Sequence, residues 1–85
     1  MSYGLYITSA AYRQLRKLDR NIQVLIRERL DHLCKDPYGD ELDVKKLQGR
    51  EGYRLRIGDY RIIYRLKNSD LIVEVLAIGH RKEIY

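Results

Sequence analysis

Three arginines fall around one expected hairpin in a pattern that suits them to hold an anion. The segment Tyr53-Arg54-Leu55-Arg56-Ile57-Gly58-Asp59-Tyr60-Arg61-Ile62-Ile63-Tyr64 alternates in two halves about Gly58-Asp59. Gly in the first position of a two-residue turn favours type II′, which joins antiparallel strands tightly. Such a turn sets Ile57 opposite Tyr60, Arg56 opposite Arg61 and Leu55 opposite Ile62. Side chains alternate faces along a strand, so Arg54, Arg56 and Arg61 share one face. Like charges directly opposed in a sheet are destabilising. A small domain that keeps them has a use for them, and RNA phosphate is the obvious ligand.

The elements that must position this cluster follow from the rest of the chain. Residues 3–8 alternate, with Leu5 and Ile7 two apart, and read as a first strand. Ser9 can cap a helix over residues 9–18, with Ala11, Leu15 and Leu18 on one side. Asp19 or Asn21 can cap a second helix ending near Lys35, whose apolar positions Ile22, Ile26, Leu30 and Leu33 recur at helical spacing. Pro37 stops it. The short link between the helices predicts an antiparallel pair. Residues 36–43 read as a polar loop and Val44-Lys45-Lys46-Leu47 as a short bridge. Strands are expected over 53–57, 60–66 and 71–78, the last apolar on both faces except at Glu74 and so suited to a central place. The order is β-α-α-β-β-β, an α+β fold with an antiparallel-rich four-stranded sheet and a helical pair packed on one face.

In that arrangement Leu55, Ile57, Ile62 and Tyr64 form the side of the hairpin that meets the helices. The opposite side presents Arg54, Arg56, Arg61 and, by the parity of its own strand, Arg65, as an uncovered basic surface. Glu74 has no place in this scheme unless it partners an arginine.

Composition agrees with a polyanion or an acidic partner. The chain has 85 residues and reads as one domain, 1–85, that buries roughly 60–65% of its unfolded surface. Residues 1–43 carry seven Lys/Arg and seven Asp/Glu, whereas residues 44–85 carry ten and five, so the second half holds all of the net charge of +5. Eight tyrosines supply all of the aromatic mass, because Phe and Trp are absent. One cysteine, Cys34, rules out an internal disulfide and reads as a small core residue. With only two histidines it fits no structural zinc pattern. There is no signal peptide and no long apolar run, which leads us to expect a cytosolic protein that does not engage a membrane. Lys45 and Lys46 read as solvated and within reach of a phosphate backbone.

Lys46-Leu47-Gln48-Gly49, Tyr53-Arg54-Leu55-Arg56, Gly58-Asp59-Tyr60-Arg61-Ile62-Ile63-Tyr64 and Gly79-His80-Arg81-Lys82-Glu83-Ile84-Tyr85 together resemble the RelE/ParE toxin superfamily of toxin–antitoxin systems, in particular its RelE branch. The resemblance covers nearly the whole chain. It implies a RelE-like fold and an endoribonuclease that cuts mRNA in the ribosomal A site without a metal or other cofactor. It also implies a cognate antitoxin as partner, with operator DNA reached through the antitoxin complex. The catalytic residues it implies are Arg56, Arg61, Arg81 and Tyr85. Arg54 matches the other sheet cation, and Lys46, Arg65 and His80 stand as RNA-binding residues beside it.

Where family members carry paired sheet lysines this chain has Arg54 and Arg56, which clamp phosphate well but cannot accept a proton. The general base is then Tyr85 or His80. A histidine is the better proton acceptor of the two near neutral pH, but strand parity turns His80 away from Arg81. Two rival readings share the fold: a ParE-like toxin that inhibits DNA gyrase by protein binding, and a catalytically weak module that acts with its antitoxin at operator DNA.

Overall fold

The computed structural model describes residues 2–81. Along the chain it places β1 (Gly4–Ile7), α1 (Ser9–Arg16), α2 (Arg20–Lys35), β2 (Asp43–Lys46), β3 (Tyr53–Ile57), β4 (Tyr60–Lys67) and β5 (Ile72–His80). The sheet has five strands in the order β1-β5-β4-β3-β2. β1 runs parallel to β5, and every other neighbouring pair is antiparallel.

The fifth strand corrects the four expected. Residues 43–46 offer a single apolar side chain, Val44, and so no alternation to read. What makes them a strand is the edge of β3, where Val44 pairs with Leu55 and Lys45 with Arg54. The α1 boundary also differs. Thr8, not Ser9, is the N-cap, its hydroxyl accepting from the Ala11 amide at 3.2 Å. The helix ends at Arg16, short of Leu18. Asp19 precedes α2, which runs to Lys35 as the spacing predicts.

The helical pair covers one face of the sheet. Ala11 and Leu15 from α1 and Ile26, Leu30, Leu33 and Cys34 from α2 pack with Leu55, Ile57, Ile62, Tyr64, Val73, Val75 and Ile78. The hairpin register is the one the Gly58-Asp59 turn demands, with Arg56 opposite Arg61. Gly58 takes φ 56°, a conformation that costs a glycine little.

β5 contains an irregularity that decides which of its side chains reach the site. Ile63 pairs with Ala77 but Tyr64 pairs with Val75, so Leu76 is an extra residue in the ladder. The inward positions therefore switch from Val73 and Val75 to Ile78, while Gly79 comes opposite Arg61. α1 holds this bulge. The Ile78 amide donates to Gln14 Oε1 at 2.7 Å, and the Thr8 amide donates to the Val75 carbonyl at 3.0 Å. Among the described residues no helix is long and apolar enough to cross a membrane.

Candidate functional site

On the face away from the helices, cross-strand register arranges the basic residues in rows. One row holds Arg61 of β4, Arg56 of β3 and Asp43 of β2. The next holds Ile63, Arg54 and Lys45. Rows on one face are about 7 Å apart, two residues along a strand. Directly opposed side chains have Cβ atoms about 4.5–5.5 Å apart. Three guanidiniums and a lysine therefore crowd a patch only a few nucleotides across.

The turn explains how Arg56 and Arg61 coexist. Arg56 Nε donates to the Gly58 carbonyl at 3.4 Å, and Arg61 Nη1 donates to the same oxygen at 3.3 Å and to the Tyr60 carbonyl at 3.2 Å. One backbone dipole thus offsets part of the repulsion. The Nε groups of Arg54 and Arg61 are buried with no hydrogen-bond partner among the described residues. An orphaned donor buried in this way carries a desolvation cost of about 1–3 kcal/mol. Among the described residues none of the ion pairs engages Arg54, Arg56, Arg61 or Arg81.

This face is less bare than the sequence suggests. Arg56 is exposed and Arg54 half-buried, but Arg61 is 8% exposed and Ile63 only 2%. Arginine stems are apolar and lie along hydrophobic surface, so a guanidinium can remain functional while its stem is covered. Arg65 is also placed otherwise than a free cation. Its Nε pairs with Glu74, which is 8% exposed and also lies 3.9 Å from Lys67 Nζ. Glu74 is thus the partner of an arginine, and the pair bounds the basic patch on the β1 side.

Arg81 follows β5, and its amide donates to the Asp59 carbonyl at 2.8 Å. This fastens Arg81 to the hairpin turn that carries Arg56 and Arg61. His80 pairs with Tyr60 in the ladder, and the two rings meet edge-on at 5.7 Å, on the side of the sheet opposite Arg61. Tyr85 lies outside the described residues. Lys46 is exposed at the end of β2, opposite Tyr53. With Glu51, Tyr53, Arg65 and Asn68 it lines a pocket of about 210 Å³ at the end of the sheet. Among the described residues no group of three or more His, Cys, Asp or Glu side chains is placed to hold a metal ion.

Residues 5–85 match the family described as the ParE toxin of type II toxin–antitoxin system, parDE. The chain belongs to this toxin family. Toxin RelG of Mycobacterium tuberculosis is 33% identical, over 100% of this chain and 98% of that protein. The mRNA interferase toxin RelE of Escherichia coli is 26% identical, over 100% of this chain and 92% of its own length. Among solved structures, the RelE chain of the archaeal RelE–RelB complex from Pyrococcus horikoshii superposes with a TM-score of 0.82 at 31% identity. It covers 98% of this chain and 99% of that one.

Sequence reasoning missed two residues that line the toxin's pocket, Tyr53 and Asn68. Tyr53 stacks on Tyr64, with centroids 5.5 Å apart and planes 22° from parallel. Asn68 Oδ1 accepts from the Tyr3 hydroxyl at 2.7 Å and the Tyr38 hydroxyl at 3.0 Å. Tyr64 is fully buried with its own hydroxyl unpartnered, and burial, then Tyr53 and Tyr38, push its pKa well above that of a free phenol. Four tyrosines from separate segments meet at this corner. The sequence signal for that was only the use of tyrosine in place of all other aromatics.

Proposed function

We propose that this toxin is an endoribonuclease that cuts mRNA held in the ribosomal A site and is neutralised by a cognate antitoxin. The observation that carries the reading is the tie between the Arg81 amide and the Asp59 carbonyl, which brings a fourth arginine to the turn bearing Arg56 and Arg61. The relatives support it. One is named an mRNA interferase, and another was solved as a RelE–RelB complex.

In the proposed reaction the 2′-oxygen attacks the adjacent phosphorus and the bond to the 5′-oxygen breaks. The products are a 2′,3′-cyclic phosphate and a 5′-hydroxyl. The proton leaves the 2′-hydroxyl for a base, and the departing 5′-oxygen takes one up. Negative charge grows on the phosphate oxygens. Arg54, Arg56, Arg61 and Arg81 are the preorganised donors that meet it. No arginine serves as the base, since its pKa exceeds about 12. With His80 on the opposite side of the sheet, we assign proton transfer or base stacking to Tyr85. The antitoxin occludes the arginine face, and its complex with the toxin reaches operator DNA.

The matched family description favours one rival, a ParE-like toxin that blocks DNA gyrase by binding. Induction of the chain alone, with mRNA ends mapped and gyrase supercoiling assayed in parallel, separates the two. New 5′-hydroxyl ends within coding sequence with normal supercoiling support the nuclease. Intact mRNA with blocked supercoiling overturns it.

A further inference from the structure

Asp43 is an acidic side chain in a row of arginines. It opens β2 and pairs with Arg56, which in turn pairs with Arg61. Its neighbour fixes its side of the sheet. Val44 pairs with Leu55 and packs against the core, so Asp43 lies on the other face, with the arginines. Neither folding nor RNA binding explains an aspartate there. Strands disfavour Asp. The ion pair it could form with Arg56 is not made, and among the described residues Asp43 enters none of the ion pairs. Arg56 is instead drawn through its Nε to the Gly58 carbonyl, in the turn that also holds Arg61. A carboxylate left bare on this face repels phosphate and so weakens the hold of the arginines on RNA.

We propose that Asp43 is the general base of the cleavage, an assignment that rests on the ribonuclease reading above. The row supplies the geometry. Asp43 stands one strand, about 4.8 Å, from Arg56, and two strands from Arg61. β2 is the edge of the sheet, so a message can approach from its open side. With the phosphate on Arg56 and Arg61, a ribose turned toward β2 brings its 2′-hydroxyl to the Asp43 carboxylate, which needs to come within about 2.6–3.2 Å. The carboxylate takes the proton as the 2′-oxygen bonds to phosphorus. The bond to the 5′-oxygen breaks, and that oxygen keeps the electron pair and takes a proton from Tyr85 or from water. The arginines cannot accept the first proton, and an ionised carboxylate only accepts. The cations beside it also favour loss of the proton from the 2′-hydroxyl.

The test turns on a difference in sign. Asp43 is exposed and asparagine has its shape, so Asp43→Asn keeps the fold. A carboxylate with no chemical role only repels RNA, and its removal should speed cutting. A general base is worth about 10²–10⁴-fold, so Asp43→Asn should instead slow single-turnover cutting of ribosome-bound mRNA by about 10²-fold or more. Its affinity for a ribosome-bound message with a 2′-deoxynucleotide at the cut, which cannot be cleaved, should equal or exceed that of the wild type. Asp43→Glu keeps a carboxylate and should cut at least about 10-fold faster than Asp43→Asn. Three results overturn the assignment and leave the ribonuclease reading standing: Asp43→Asn cutting within about 10-fold of the wild type, a loss of cutting matched by the same loss of affinity for the uncleavable message, or equal rates for Asp43→Glu and Asp43→Asn. No cutting by the wild type overturns both.

Discussion

Replacing Arg61 with methionine separates the charge of this side chain from its bulk. Arg61 is 8% exposed, its Nη1 bonds to two carbonyls are long at 3.2 and 3.3 Å, and its Nε is orphaned. Methionine keeps an apolar stem of similar reach. It also removes the charge that opposes Arg56, worth about 0.2–1 kcal/mol, and the unpaired donor. Stability should therefore stay within about 1 kcal/mol of wild type, as is common when a buried charge gives way to a packed apolar group. Arg61→Ala removes the same charge and donor but also deletes two covered methylenes at about 0.8 kcal/mol each, and should be less stable than Arg61→Met by about 2 kcal/mol. That sets its melting temperature roughly 8–16 °C below that of the methionine variant, at about 4–8 °C per kcal/mol. Cleavage should fall about 10²–10³-fold in both variants, the loss expected for one donor to developing charge. The assay is single-turnover cutting of ribosome-bound mRNA at a temperature where both variants are folded. A methionine variant that cuts within about 5-fold of wild type would refute the role given to the Arg61 charge.

Tyr64→Phe removes a buried hydroxyl that has no partner among the described residues and should stabilise the fold by about 1 kcal/mol, read by denaturant titration. The raised Tyr64 pKa has a definite sign: its contribution is intact below about pH 10, the unfolded phenol's value, and is lost as pH rises beyond it, so the phenylalanine variant should lose stability less steeply in alkali. Gln14→Leu strands the Ile78 amide and should cost about 1–2 kcal/mol in a thermal melt, whereas Gln14→Glu keeps the acceptor and most of the stability. Antitoxin association should slow as salt rises, because the arginine face steers an acidic partner, and a stopped-flow on-rate that is flat with salt would remove the electrostatic part of the neutralisation argument.

The hairpin was legible in the sequence because a two-residue turn between alternating segments leaves only one register, and that register alone placed Arg54, Arg56 and Arg61 together. The helices were legible from the spacing of Ile26, Leu30 and Leu33, which fixes one buried side. β2 was not, since four mostly polar residues become a strand only through their partner. Nor was the bulge at Leu76, which is set by α1 groups more than sixty residues earlier in the chain. The covering of Arg61 and the pairing of Arg65 with Glu74 depend on neighbours across the sheet, so charge and parity alone overstated how open that face is. The pocket draws Lys46, Tyr53 and Asn68 from three segments, and no local spacing links them.

In the proposed reaction the arginine cluster supplies charge, and the ribosome supplies the alignment the cluster cannot. Held orientation can be worth about 7–11 kcal/mol, and flexible RNA seldom presents its 2′-hydroxyl in line with the phosphate. The direct measurement compares one mRNA with and without programmed ribosomes, counting 5′-hydroxyl ends after addition of the toxin. Abundant ends are expected on the ribosome-bound message and few on the naked one. Equal cutting of both would contradict the role given to the ribosome.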